Sequence, residues 1–150
     1  MQSNIPTIIE LEKLAQQIPE KIPYLKMLVL FGSRATENIH QNSDWDFAVL
    51  YDEELRNTHT QDNGFSLFEL PMVIGELFQI NPDSIDVVEL NNCSNLIAHY
   101  IARDGKVLYE DESNQFEKFR QGVLLDNSKV KTIERNNRQD IEQFLERWGV

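Results

Sequence analysis

An apolar run that stops abruptly at a Gly-Ser pair limits the possible folds of this chain more than any other feature. Met27 to Phe31 is apolar throughout and is followed at once by Gly32 and Ser33. Such a run, bounded by a turn signal, predicts a buried strand over Lys26 to Phe31. Glycine lets the backbone approach a ligand closely, and serine can cap a short helix whose N–H groups face an anion. The pattern therefore predicts a strand, a tight turn and a phosphate-binding loop in succession.

A second apolar segment carries two aspartates at alternate positions. The triplet Asp44-Trp45-Asp46 follows Ser33 after ten residues and begins a predicted strand that ends at Tyr51. Because side chains alternate across a strand, both carboxylates leave one face, about 6–7 Å apart, and Trp45 faces the core. Two carboxylates on an interior strand would repel each other and lose hydration. A bound divalent cation relieves both costs, and such oxygen ligands suit Mg²⁺ together with substrate phosphates.

A third carboxylate and one cation are candidates for the same site. Asp86 lies inside Ser84 to Leu90, a predicted apolar strand that could bring it beside Asp44 and Asp46. Three carboxylates and a triphosphate can hold two Mg²⁺ ions about 4 Å apart, and Asp86 would also take the acceptor's proton. The alternative for Asp86 is an exposed aspartate at a strand end. Arg34 is equally consistent with a cation that binds phosphate and with a surface residue.

The rest of the chain alternates between helical and extended patterns. Helices are predicted over residues 7–20, 65–80 and 95–103, and a fourth strand over 106–109. Thr7 can cap the first helix, and Pro71 predicts a kink or a late start in the second. Residues 52–63 are polar without apolar periodicity and are predicted to form a mobile loop. The order of elements indicates an α/β (α+β) fold, a small mixed sheet flanked by helices.

The C-terminal part has helical character from residue 112 onward, with a predicted interruption at 126–128. Its apolar stripe is longer than a core of this size needs. We therefore expect a core over residues 1–111 and a helical segment over 112–150 that packs on the core and on a partner.

Composition excludes several classes of protein. The net charge of −11 argues against direct binding to nucleic acid, which requires clustered basic residues. No apolar run approaches the roughly 20 residues needed to cross a membrane. The N-terminus lacks the pattern of a cleavable leader, and the single Cys93 cannot form an internal disulfide. A cytoplasmic location is expected.

Taken together, two strings resemble the DNA polymerase β-like nucleotidyltransferase superfamily. They are Leu30-Phe31-Gly32-Ser33-Arg34-Ala35 and Ser43-Asp44-Trp45-Asp46, and the likeness spans roughly residues 8–109. The short chain is most similar to the minimal nucleotidyltransferases, which include the antitoxins of HEPN/MNT toxin–antitoxin pairs. The chain departs from many of these relatives after Ala35, where Thr36-Glu37-Asn38 replaces a basic residue and glycine.

The resemblance implies a nucleotidyltransferase fold, ATP as substrate and two Mg²⁺ ions as cofactor. It implies that Gly32 and Ser33 bind phosphate and that the three aspartates are catalytic and metal-binding. Members with a full site transfer AMP to a tyrosine of the partner HEPN ribonuclease, which silences it, so the implied partner is a HEPN-type toxin in a stable complex. Two alternatives remain at this point: an enzyme that modifies a small molecule such as an aminoglycoside, and an antitoxin that acts by binding alone.

Overall fold

The computed structural model of the chain describes residues 5–36, 44–63, 69–125 and 127–136. The helices are α1 (Ile8–Leu14), α2 (Ile18–Lys21), α3 (Ser33–Thr36), α4 (Glu53–Asn63), α5 (Glu69–Phe78), α6 (Asn95–Asp104), α7 (Gln115–Val123) and α8 (Asn127–Asn136). Short 3₁₀ turns lie at Ala15–Gln17 and Pro82–Ser84. The strands are β1 (Leu25–Phe31), β2 (Trp45–Tyr51), β3 (Ile85–Glu89) and β4 (Lys106–Glu110).

The four strands form one mixed sheet in the order β3-β2-β1-β4. β1 pairs antiparallel with both β2 and β4, whereas β2 pairs parallel with β3. A parallel pair needs a crossover connection, and α4 and α5 lie in the segment that provides it. The predicted mixed α/β architecture is confirmed.

Helices cover both faces of this sheet, because the central strand buries apolar side chains on both sides. Leu28 and Leu30 of β1 belong to a cluster that includes residues of α1 and α5. The alternate positions Met27, Val29 and Phe31 belong to a second cluster, against which residues of α6 and α7 pack. The end of β1 and the start of β2 therefore lie between two helical layers.

The first helical segment is present but is not continuous. The hydroxyl of Thr7 accepts a hydrogen bond from the N–H of Glu10 at 3.1 Å, which confirms the predicted cap. The 3₁₀ turn at Ala15–Gln17 separates α1 from α2. Pro19 explains the break, because its ring crowds the carbonyl four residues earlier and its nitrogen has no hydrogen to donate.

The prediction of a mobile loop over residues 52–63 is wrong, because Glu53–Asn63 forms helix α4. The carboxylate of Asp52 accepts a hydrogen bond from the N–H of Leu55 at 3.0 Å and so caps the helix. Two glutamates in the first turn interact favourably with the helix dipole. Most described side chains of α4 are exposed. A helix that buries so little has no apolar periodicity to reveal it.

The other predicted helices of the core agree with the structure. α5 is described from Glu69 onward, and Pro71 lies in its first described turn. Residues 65–68, the start of the predicted helix, lie outside the described part of the chain, so the late start predicted from Pro71 stays a prediction. α6 is capped by Ser94, whose hydroxyl accepts from the N–H of Ile97 at 3.2 Å. Among the described helices, none is long and apolar enough to span a membrane.

The C-terminal helical character is confirmed as far as the structure describes it. The break between α7 and α8 begins at Leu124, and the predicted interruption at 126–128 is wrong for Asn127 and Ser128, which belong to α8. The N–H of Leu125 donates to Nδ1 of buried His99 at 3.0 Å, which attaches the break to α6. Residues 137–150, the end of the predicted apolar stripe, lie outside the described residues.

Candidate nucleotide and metal site

Two carboxylates from neighbouring strands lie side by side at the start of the parallel pair. Asp46 of β2 and Asp86 of β3 are direct partners in the sheet register. Neighbouring strands lie about 4.8 Å apart, and paired residues share a face, so both carboxylates leave the same side of the sheet. The structure thus brings Asp86 beside Asp46, as the apolar strand around it predicts. The part that either plays in chemistry stays a prediction.

The two aspartates of the triplet differ in their access to solvent. Asp44 is exposed and immediately precedes β2, whereas Asp46 lies within the strand and is only 5% exposed. Their spacing of two directs both carboxylates to the same face. A buried carboxylate such as Asp46 loses hydration and needs positive charge or hydrogen-bond donors nearby. The pair therefore offers one ligand in the interior and one at the rim, where a solvated group could reach it.

Gly32 sits against the buried carboxylate, and a side chain there would force the turn or the carboxylate to move. Its φ is +75°, in the left-handed region that side chains disfavour, and an added Cβ would overlap Oδ2 of Asp46. Its carbonyl accepts hydrogen bonds from the N–H groups of Ala35 at 3.1 Å and Thr36 at 3.2 Å, which starts the single turn of α3. The glycine predicted from the motif is thus explained by a close approach between the turn and Asp46.

Arg34 supplies positive charge to this end of the sheet. Its guanidinium carbon lies 4.2 Å from the centroid of the Trp45 ring. Burial lowers the pKa of Arg34 below its ordinary value, while the charges of Asp44 and Asp46 act in the opposite direction. Arginine stays protonated in either case because its ordinary pKa is so high. Arg34 is therefore a half-buried cation within electrostatic reach of both aspartates. Ser33 is half-buried at the start of α3.

The donors at this site fit a hard cation that is completed by a substrate. Within the described residues, no three or more His, Cys, Asp or Glu side chains are grouped closely enough to hold a metal ion by themselves. Mg²⁺ in phosphate-transfer sites is commonly bound by one or two carboxylates together with phosphate oxygens and water. The Asp44–Asp46 pair, with Gly32 leaving room for the inner carboxylate, matches that smaller requirement.

Fold and site together point to the nucleotidyltransferase class. More particularly, the chain belongs to the polymerase β nucleotidyltransferase family, whose sequence model matches residues 12–114. It is 61% identical over 150 residues to a protein adenylyltransferase, MntA, of Aphanizomenon flos-aquae (strain 2012/KM1/D3), and the match covers all of both chains. It is also 28% identical over 97 residues to MntA of Shewanella oneidensis, covering 65% of this chain and 63% of that relative.

Solved structures of toxin–antitoxin complexes share this fold. One chain of a toxin–antitoxin complex with AMP-PNP aligns at a TM-score of 0.56 and 22% identity, covering 90% of this chain and 98% of that chain. A chain of the complex between the tri-AMPylated Shewanella oneidensis HEPN toxin and its MNT antitoxin aligns at 0.52 and 20% identity, covering 93% and 99%. The fold expected from the sequence is therefore confirmed.

A second charged cluster lies at the other end of the parallel pair β2 and β3, and the sequence pattern does not predict it. The hydroxyl of Tyr51 donates to the carboxylate of Glu89 at 3.1 Å, and Arg56 donates to the same hydroxyl at 3.1 Å. Arg56 also lies 3.9 Å from the Glu89 carboxylate and 4.5 Å from the centre of the Tyr51 ring. Burial and the Glu89 charge raise the pKa of Tyr51. This cluster attaches α4 to the sheet.

Proposed function

We propose that this protein transfers AMP from ATP to a tyrosine of a cognate HEPN ribonuclease, with which it assembles, and that the modification silences the ribonuclease. The observation that carries the proposal is the 61% identity to a protein adenylyltransferase along the full length of both chains. The relatives crystallised with AMP-PNP or with an AMPylated HEPN toxin share its fold and indicate which nucleotide and partner to test. The protein would then act as the antitoxin of the pair, in the cytoplasm.

Metal binding is a further part of the proposed function. Asp44 and Asp46 would hold Mg²⁺, and Asp86, paired with Asp46 in the sheet, would hold a second ion. Bound there, Mg²⁺ would neutralise charge on the triphosphate and lower the pKa of the acceptor hydroxyl. A buried Asp46 under a glycine turn supports this assignment, because a cation offsets the cost of keeping the carboxylate ionised away from water.

The remaining residues have separate tasks in the proposed reaction. The tyrosine oxygen bonds to the α-phosphorus while the bond from that phosphorus to the bridging oxygen breaks, and pyrophosphate leaves. A carboxylate oxygen of Asp86 takes the proton of the tyrosine hydroxyl. The turn at Gly32 and Ser33 contacts the β- and γ-phosphates, and Arg34 adds positive charge beside them. Positioning and charge stabilisation supply most of the rate in such transfers.

A direct test uses the purified protein, ATP, Mg²⁺ and the candidate HEPN protein. The expected result is a HEPN protein heavier by one or more AMP groups in intact mass, with a tyrosine carrying the modification in fragment spectra. Asp44→Ala should abolish the adduct, because one of the three proposed metal ligands is lost. Asp83→Ala is the matched control, since Asp83 is exposed in the turn before β3 and should leave the adduct unchanged.

Other outcomes would contradict the proposal. An unchanged adduct with Asp44→Ala would exclude the assigned site. If the Asp44→Ala variant inhibited the ribonuclease as strongly as the wild type, without adding AMP to it, binding alone would be sufficient. Transfer of AMP to an aminoglycoside, with none to the HEPN protein, would identify a small-molecule enzyme. An adduct that forms equally well after complete removal of Mg²⁺ with a chelator would exclude the metal.

A further inference from the structure

The aromatic residue between the two aspartates has a contact that its place in the core does not require. Trp45 is 7% exposed and belongs to the apolar cluster on one face of the sheet, where its ring lies parallel to that of Phe47 with centroids 6.3 Å apart. The guanidinium of Arg34 lies over the same ring at 4.2 Å. An aliphatic residue could fill the core at this position, but it could not hold a guanidinium in this way.

This contact joins the two halves of the motif. Arg34 comes from the turn after β1, and Trp45 lies between the two aspartates on β2. Two connections therefore fix the turn relative to the aspartates: Gly32 against Asp46, and Arg34 against Trp45. The half-buried cation is thereby held in the same part of the molecule as both carboxylates, whose charges act on it.

Stacking is well suited to a cation that must also bind a polyphosphate. It engages the flat face of the guanidinium, whereas the N–H groups point outward from its edge in the plane of the group. Those N–H groups form the bidentate contacts that arginine makes with phosphate oxygens. A ring that orients the guanidinium by its face therefore fixes the direction of its donors and lowers the conformational entropy lost when phosphate binds.

We propose that Trp45 is a positioning residue that holds Arg34 for the polyphosphate of the nucleotide. This inference rests on the proposed function, since it assigns Trp45 and Arg34 to the same nucleotide site. The triphosphate carries its charge both when ATP binds and in the transition state. Loss of the stack should therefore weaken ATP binding and raise KM while changing kcat little.

The experiment is a double-mutant cycle between the two residues. Trp45→Leu keeps an apolar side chain and removes the ring, and Arg34→Ala removes the cation. The Kd for AMP-PNP with Mg²⁺ is measured by calorimetry for the wild type, both single variants and the double variant. We expect Trp45→Leu to weaken binding roughly tenfold, between the effect of an exposed and that of a fully desolvated cation–π contact. In the Arg34→Ala background the same change should alter binding less than about twofold.

Conservative variants and a remote pair serve as controls. Trp45→Phe retains a ring and should recover most of the affinity, and it also serves if Trp45→Leu fails to fold. Arg56 lies 4.5 Å from the centre of the Tyr51 ring, at the opposite end of β2 from Trp45. Arg56→Ala removes a matched stack at that opposite end and should leave the Kd for AMP-PNP unchanged. The unfolding free energy of each variant, from urea titration, separates binding effects from stability effects.

The possible failures can be told apart. A wild type that binds no AMP-PNP would overturn the proposed function and this inference together. Normal binding by the wild type, with equal losses from Trp45→Leu in both backgrounds, would overturn only the positioning role and leave Trp45 as a core residue. A Trp45→Phe variant as weak as Trp45→Leu would have the same consequence.

Discussion

The two ends of β2 are built from the same kinds of residue but use them differently. At each end an arginine lies over an aromatic ring: Arg34 over Trp45 at 4.2 Å, and Arg56 over Tyr51 at 4.5 Å. Each end also lies beside an acidic residue of β3, Asp86 at one end and Glu89 at the other. We call the two ends of β2 the aspartate end, which includes Trp45 and Asp46, and the tyrosine end, which includes Tyr51.

The tyrosine end directs its charges at one another. Arg56, Tyr51 and Glu89 form a closed set of two hydrogen bonds and one ion pair. At the aspartate end the register instead brings two acidic residues, Asp46 and Asp86, side by side. Two adjacent carboxylates cannot stabilise each other, whereas a carboxylate, a hydroxyl and a guanidinium can. The comparison teaches that the same residue types form a closed structural attachment at one end, whereas at the other end they bring two carboxylates together, where we propose that a cation binds.

The largest difference between the two ends should appear when one carboxylate at each is made neutral. We expect Asp46→Asn to reduce AMP transfer by about a thousandfold or more without lowering the unfolding free energy, because it removes a buried charge from a crowded acidic site. Glu89→Gln should keep transfer within about threefold and lower stability, because it weakens a closed cluster. Initial rates of AMP transfer and urea unfolding of both variants test these expectations. A large loss of transfer in Glu89→Gln would contradict the difference between the two ends.

The next effect concerns the turn that faces Asp46. Gly32→Ala forces a Cβ into the space of the carboxylate and into a strained φ, so transfer should fall about a hundredfold and the unfolding free energy by at least about 1 kcal/mol. Gly122→Ala is the matched control, because nothing lies within 4 Å of its added Cβ in α7. That variant should retain full activity and gain roughly 0.5–1 kcal/mol of stability. Equal AMP transfer and equal unfolding free energy in the two variants would contradict the close approach of Gly32 to Asp46.

A smaller effect is expected from the cation of the tyrosine end. Arg56→Met leaves Glu89 and Tyr51 without their positive partner, and the unfolding free energy should fall by about 1–2 kcal/mol. Arg103→Met provides the comparison, because the side chain of Arg103 is 48% exposed against 19% for Arg56. Its loss should cost less than about 0.5 kcal/mol. Transfer activity should change less than about twofold in both, and a strong loss in Arg56→Met would assign the tyrosine end to the chemistry.

The smallest effect is a change in the dependence of stability on pH. The pKa of Tyr51 is raised in the folded protein, so the folded state retains the proton where the unfolded chain has lost it. Its contribution is complete below the ordinary tyrosine pKa of about 10 and is lost as the pH rises through the folded value. Urea titrations between about pH 8 and 11 should show a shallower decline for Tyr51→Phe than for the wild type. Parallel declines would contradict the raised pKa.

Much of the site could be predicted because charge inside an apolar strand is conspicuous. Asp46 and Asp86 both interrupt apolar strands, and Gly32 ends another, so the sequence pattern places all three near strand ends. Trp45 faces the core as the alternation of strand side chains predicts. The assignment of these residues to metal and phosphate stays a prediction, as does the division of the chain at residue 111.

Contacts between side chains on different elements could not be predicted in this way. Nothing in the sequence joins Arg34 to Trp45, because the direction of a side chain after a tight turn depends on the folded backbone. The cluster of Tyr51, Arg56 and Glu89 could not be predicted for a related reason. Arg56 belongs to α4, a helix that apolar periodicity does not reveal, so its approach to the sheet could not be foreseen. Sequence pattern thus predicts burial more readily than it predicts the partners of polar groups.

The parallel pairing of β2 and β3 also determines when the site can form during synthesis. Asp46 and Asp86 are partners although they stand forty positions apart, and the crossover between them must be made first. Closing such a segment costs entropy before any strand contact compensates it. A growing chain that ends before residue 86 can expose the Gly32 turn and the first aspartates but not the complete site. The proposed nucleotide site would therefore be complete only after most of the sheet has left the ribosome.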